Sequence, residues 1–462
     1  MRLIFIFFLV TVSSFNLHAQ ETTDNDVRMI RAIYDQSLTN SSCYTWLEYL
    51  TTSIGGRLAG SPASMAAVFY TKQMLDTIGL DATSLQDCEV PHWNRGIKEE
   101  ARIVLSSQYG SYPMNCLALG NSEGTGELGL TAEVVEVKSL DEVEKLGKSN
   151  IEGKIVFYNR PMDPTQIRTF NAYGGAVDQR VYGASKAAEF GAVGVLVRSM
   201  TTRLDDYPHT GTLVYNDGIK KIPAISISTN DSELLSRLLK REKIKVFLRN
   251  TSEMLSPKMS YNVIGEIKGS EFPDEIILVG GHLDAWDVGQ GAHDDGAGCV
   301  QAMEVLNTLK KINYKPKRTI RVVLFMNEEN GLGGGLAYAK ESNEKKEYHL
   351  AAIESDSGGF SPRGFSCDAE VEVFNEKFKS FYDFSPLLEP YGLMITKGGS
   401  GADINPLKSQ KGLLIGLRPD SQRYFDYHHT EIDTFETVNQ RELELGAAAL
   451  TSIVYLIDQY GL

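Results

Sequence analysis

The chain has 462 residues, 42% hydrophobic and 23% charged, the proportions of a soluble globular protein. That length exceeds one ordinary hydrophobic core, so two domains are expected. With 60 acidic and 46 basic side chains the net charge is −14, which argues against nucleic acid and an anionic membrane surface as partners.

Met1-Arg2 is a short positive start, Leu3 to Val12 an apolar run, and Leu17-His18-Ala19 ends on a small residue. This pattern predicts a secretory signal over residues 1–19 and an exported protein, periplasmic in a Gram-negative host. The run is too short to span a bilayer, and no cysteine follows the cleavage point to carry a lipid. Cys43, Cys88, Cys116, Cys299 and Cys367 are scattered, make no CxxC pair and leave at least one thiol unpaired.

Residues 40–82 read as helix in two pieces around the break Ile54-Gly55-Gly56-Arg57-Leu58. In the second piece Ala67, Tyr70, Met74 and Ile78 recur every three or four residues, and Gly79 supplies the stop. Ala101 to Ser106 reads as a strand. From Leu117 to Leu255 the texture changes to short β-branched strands (Gly153–Arg160, Gly191–Ser199, Ile222–Ser228) among Gly-rich loops, with a helix-like Val181–Phe190. That order predicts a small self-contained α/β or β-rich domain. The basic run Lys240–Lys245 reads as a solvated helix end.

Beyond Leu255 strands and helices alternate regularly. The strand Glu275–Gly281 precedes the helix Gly298–Ile312, which places Val300, Met303, Leu306 and Leu309 on one face. Strand Arg318–Asn327 precedes a helix from about Gly335; strands Leu350–Ser355 and Gly412–Leu417 follow, and an amphipathic helix, Arg441–Tyr460, closes the chain. The predicted class is α/β, a mostly parallel sheet with helices on both faces, which binds ligands beyond the carboxyl ends of its strands.

Each of these strands ends in acidic or imidazole groups: His282 and Asp284, then Asp294, then Glu328-Glu329, then Asp356, then His428-His429. Strand ends in one parallel sheet lie side by side, so the groups should converge on one crevice. So many carboxylates repel unless cations neutralise them. Mixed imidazole and carboxylate donors suit catalytic zinc, and the imidazoles argue against a calcium loop. Five ligands leave room for substrate only around a pair of ions bridged by a carboxylate.

The motifs His282-x-Asp284, Gly291–Gly298 "GAHDDGAG", Asn327–Gly334 "NEENGLGG", Glu354–Gly359 "ESDSGG" and His428–Thr434 "HHTEIDT" resemble the co-catalytic di-zinc aminopeptidase family that includes aminopeptidase Y and glutamate carboxypeptidase. The resemblance implies the zinc exopeptidase fold, a mostly parallel mixed sheet flanked by helices. It also implies a protease-associated insertion at residues 117–255, between peptidase segments 20–116 and 256–462. Two Zn2+ per chain, a small peptide substrate and a homodimer are implied as well, with neither nucleic acid nor membrane as partner.

By the same resemblance Asp294 is the bridging carboxylate, His282 and Asp356 complete one zinc site, and Glu329 and His429 the other. Glu328 is the general base, and Asp284 buttresses the far ring nitrogen of His282, fixing its tautomer. Asp295 reads as a helix N-terminal carboxylate and His293 as a loop residue facing elsewhere. Either His428 or Tyr424 steadies the tetrahedral intermediate. Arg418 and the loop Lys397–Asp403, with Ser400 and Gly401, are the candidates to receive a substrate carboxylate. For Arg418 a structural ion pair with Asp420 or Asp426 is the rival reading. Two alternatives stand beside the peptidase: an inactive receptor-like binding protein, which the complete ligand set opposes, and a glutaminyl cyclase-like acyl transferase, which the insertion opposes.

Overall fold

The computed structural model describes residues 14–462, with side chains from Asp24 onward. The apolar run Leu3–Val12 of the expected leader lies outside the described residues. The first layer described is helical: Ser14–Thr39, then Cys43–Glu48 continued by a π-helical turn to Ile54, then Pro62–Thr77. Local chemistry sets the last of these. Ser61 accepts the Ser64 N–H at 3.1 Å, and Pro62 sits in the first turn, where its missing N–H is no loss. Ala67, Val68 and Leu75 are buried, and Gly79 ends the helix at φ 76°.

Two eight-stranded sheets follow. The chain enters β1 (Ala82–Asn94) and then builds β2 (Glu100–Ser106), β3 (Gly110–Met114), β4 (Cys116–Ala118) and β5 (Leu130–Val137). It continues through β6 (Ile155–Tyr158), β7 (Gly194–Arg198), β8 (Ala224–Ile227) and β9 (Lys245–Arg249), and returns along β10 (Glu253–Ile267). β1 and β10 pair antiparallel from Ala82↔Glu266 to Asn94↔Glu253, so everything between them is looped out of the first sheet. That excursion forms the second sheet, in the order β3-β2-β9-β5-β6-β7-β8-β4. Its central strands β6, β7 and β8 are wholly buried.

The excursion begins earlier than the expected boundary at Leu117. β2 pairs with β9 from Glu100↔Arg249 to Ile103↔Val246, so residues 100–114 belong to the second sheet. Glu253–Leu255, expected in the insertion, lie on β10 of the first sheet. A short alternating strand carries no mark of which sheet it will join. The hydrophobic pattern does not announce β1 and β10 either, because Pro91 and Pro257 interrupt them. Both prolines fall at the register shift between Val90 and His92, where a missing N–H is tolerated.

The first sheet is completed by β11 (Phe272–His282), β12 (Arg318–Phe325), β13 (Tyr348–Glu354), β14 (Pro362–Asp368), β15 (Met394–Lys397) and β16 (Leu413–Pro419). Its order is β1-β10-β12-β11-β13-β16-β14-β15. The four central strands β12, β11, β13 and β16 are parallel; β10 and β14 run antiparallel to their central neighbours, so the sheet is mixed at its flanks. On β11 Ile277 and Val279 face the core shared with helices Ala297–Lys311 and Gln440–Tyr460, while Ile276 and Leu278 face Tyr338 and Ala339 of helix Gly333–Lys345. Burial on both faces explains the unbroken apolar run. All five cysteines are free, and Cys299 is buried in the helix behind β11. No described helix is long and apolar enough to cross a membrane.

Candidate metal centre

Every candidate ligand leaves the carboxyl end of a parallel strand or the loop just beyond it. His282 is the last residue of β11. The chain packs so closely there that a Cβ on Gly281 would overlap the Asp295 carboxylate and stand 3.0 Å from the Gly298 backbone. Asp294 lies in the buried turn Ala292–Gly296 before helix Ala297–Lys311, where the Asp433 carboxylate accepts the N–H groups of His293 (2.8 Å) and Asp294 (3.1 Å). Glu328 and Glu329 follow β12, Asp356 follows β13, and His429 follows β16 in a left-handed conformation, φ 62°.

Asp294 stands at the centre. Its Oδ1 lies 3.2 Å from His282 Nε2, and its Oδ2 lies 3.2 Å from His429 Nε2. His282 Nε2 is 3.6 Å from Asp356, and His429 Nε2 is 3.1 Å from Glu329. Donor atoms of His282, Asp294 and Glu329 all lie within 4.8 Å of one another, close enough to hold a metal ion. Asp294 Oδ2 and Glu329 Oε1 are buried without a hydrogen-bond partner. Buried carboxylate oxygens in that state are costly unless positive charge meets them.

The titration of the group says the same. Burial opposes a charge on His429, yet Glu329 and Asp294 outweigh it and raise the imidazole to about 9. His282 is likewise raised against burial by Asp294 and Asp356. Burial pushes Glu329 up to about 7, with Asp294 adding to it, while the two imidazoles hold Asp294 well below the usual carboxylate range despite its burial. Without metal, protons on the imidazoles supply the positive charge. A nitrogen and oxygen donor set with orphaned carboxylate oxygens fits zinc.

The supporting residues differ in part from expectation. His282 Nδ1 lies 3.0 Å from the Asp284 backbone carbonyl, and the Asp284 carboxylate stands 3.8 Å away. The carbonyl, not the carboxylate, therefore orients the ring. The Asp284 carboxylate instead accepts the N–H groups of Asn327 (2.7 Å) and Glu328 (3.0 Å), holding the turn that presents Glu328. Asp295 is occupied by the N–H groups of His282 and Gly298. His293 turns away, stacked on Phe360 at 4.2 Å. Burial, with Asp356, Glu329 and Asp294 nearby, raises Glu328 well above the usual range although His282 opposes it.

A cleft of about 720 Å³ opens beside Asp356, lined by Ser400, Gly401, Arg418 and, from the second unit, Arg168 and Phe170. Arg418 pairs with neither predicted partner. It donates to Ser366 Oγ (2.7 Å) and to the carbonyls of Gly399 (2.6 Å) and Ser400 (2.8 Å), and Arg363 takes Asp420. It braces the loop carrying Ser400 and Gly401. Tyr424 is buried, and His428 stacks on His429 at 3.5 Å with its Nε2 3.8 Å from Asp294.

Four residues that the sequence reading did not single out come from the second unit. The Tyr173 ring packs edge-on to His428 at 5.4 Å, and the Arg180 guanidinium lies 5.6 Å from the Tyr173 ring. Arg180 is buried with Nε and Nη1 unpartnered, and burial drives His209 down to about 3, keeping it neutral. Thr210 donates its N–H to the His429 carbonyl at 3.0 Å. No local motif marks these residues; only the docking of the second unit brings them here.

Comparison with known proteins shows the family. Residues 262–454 match peptidase family M28. Carboxypeptidase Q of Bos taurus is 36% identical over 419 residues, covering 90% of this chain and 84% of that protein; the Homo sapiens protein is 34% identical over 431 residues, covering 92% and 87%. The solved structure of a peptidase M28 precursor from Shewanella amazonensis SB2B, 34% identical, covers 94% of this chain and 97% of its own with a TM-score of 0.87. BSAP, a zinc aminopeptidase from Bacillus subtilis, is 21% identical and shares the fold at a TM-score of 0.65, covering 90% of this chain and 95% of its own. The chain belongs to peptidase family M28 and is a zinc metallopeptidase.

Proposed function

We propose that the chain is an exported di-zinc exopeptidase that hydrolyses dipeptides or short peptides with free termini. One observation carries the count of two: the two oxygens of Asp294 face different imidazoles, each with a further carboxylate of its own. On this reading His282 and Asp356 would hold one zinc and Glu329 and His429 the other, with Asp294 shared between the two sites. Bound zinc would lower the pKa of water and polarise the scissile carbonyl.

The chain's own groups do the rest. Glu328, held at its N–H by Asp284, takes the proton of the attacking water and returns it to the leaving amine. His428 and Tyr424 border the reacting carbonyl. Arg180, buried with two free donor positions, receives a substrate carboxylate, and the cleft beside Asp356 takes a side chain. The second unit is on this reading the protease-associated insertion, and the segment Met1–Ala19 directs export.

The test is a zinc determination on the full chain with a panel of free, N-blocked and C-amidated dipeptides, with and without chelator. The expected result is two zinc ions per chain and hydrolysis of free dipeptides that the chelator abolishes. Fewer than two zinc ions per chain, or cleavage indifferent to the chelator, refutes the proposal.

A further inference from the structure

Arg57, in the break between the two N-terminal helical pieces, is fully buried, and its guanidinium makes no ion pair with any described residue. Each of its three nitrogens donates to a backbone carbonyl. Nε donates to Leu283 (2.6 Å), Nη1 to Gln290 (2.8 Å) and Gly55 (3.3 Å), and Nη2 to Gly291 (3.0 Å). Its own N–H donates to the Ala285 carbonyl at 3.2 Å. Burial lowers its pKa, partly opposed by Cys299 and by the carboxylates of Asp433, Asp284 and Asp295.

These acceptors are not scattered. Leu283 directly follows His282, and Gly291 precedes Asp294 by three residues, so one guanidinium ties both ends of the loop that joins two candidate ligands. Beside it, a Cβ on Gly56 would stand 2.8 Å from the Asp287 backbone, which shows how closely segment 55–57 is seated on that loop. We propose that Arg57 is a positioning residue for zinc: it clamps the loop 283–291 and thereby sets the spacing of His282 and Asp294. The proposal rests on the di-zinc reading. A planar fork suits the task because its donors point toward both ends of the loop, whereas an ammonium concentrates three donors at one point.

Arg57→Lys therefore keeps the charge and loses the clamp. The measurements on the full chain are zinc affinity by competition with a chromogenic chelator and the thermal midpoint with and without zinc. The expected result is zinc affinity weaker by about tenfold to a hundredfold, the usual effect of losing a residue that orients ligands, with a smaller zinc-induced rise in midpoint. A merely structural arginine lowers the zinc-free midpoint and leaves zinc affinity unchanged. Affinity within threefold of the parent, whatever the midpoint, overturns the proposal.

If the lysine variant does not fold, Gly56→Ala tests the same seat while keeping the guanidinium, and it too must weaken zinc binding; unchanged affinity overturns the proposal. A parent that binds fewer than two zinc ions overturns the di-zinc reading instead, and this inference with it.

Discussion

Glu328→Gln separates metal binding from chemistry most sharply. The amide has the shape of the carboxylate but cannot take a proton, and the Glu328 N–H remains tied to Asp284 at 3.0 Å. Glu329 keeps its approach to His429 at 3.1 Å, so the ligand set is untouched. Burial, with Asp356, Glu329 and Asp294 close by, raises the proton affinity of Glu328, as a general base requires. General acid–base catalysis contributes about 10²–10⁴ in rate, so the variant should lose that factor, about 2.7–5.4 kcal/mol of barrier at 1.36 kcal/mol per decade. The assay is initial-rate hydrolysis of a free dipeptide, with zinc measured on the same sample. The expected result is two zinc ions per chain, KM within severalfold of the parent and kcat reduced by the stated factor. Activity within tenfold of the parent removes Glu328 from the proton transfer; loss of zinc makes it a ligand.

Arg180→Met should lower kcat/KM for a free dipeptide by about tenfold to a hundredfold, the range for a lost charged hydrogen bond, and leave a C-amidated dipeptide unchanged. Equal losses on both substrates would assign Arg180 to packing alone. Zinc must displace a proton from His429, whose pKa is raised to about 9, so apparent zinc affinity should climb from pH 6.5 to about 9 and then level off in a chelator competition. The sign for the zinc-free protein is opposite: stability gained by protonated His429 is full below pH 6.5 and lost as pH rises through about 9, visible in thermal midpoints. Ile277→Ala, at a fully buried position of β11, should destabilise by about 2–5 kcal/mol in denaturant titration; less than 1 kcal/mol would contradict the packing described.

Much of the peptidase half is legible before any coordinates. The apolar runs of β11, β12, β13 and β16 mark strands buried on both faces, and the acidic and imidazole groups after them mark one crevice, because the carboxyl ends of parallel strands must lie together. Residue chemistry and period are local properties, and a linear chain displays them directly. Which oxygen of Asp294 meets which imidazole, that the Asp284 carbonyl orients His282, and that Arg418 serves a loop instead of an aspartate were decided only by the tertiary structure. So were the pairing of β2 with β9 and the arrival of Tyr173, Arg180 and Thr210 beside His428 and His429. These contacts join residues far apart in the chain. Their energies depend on register and docking, which close long loops and leave no periodic trace in the segments they join.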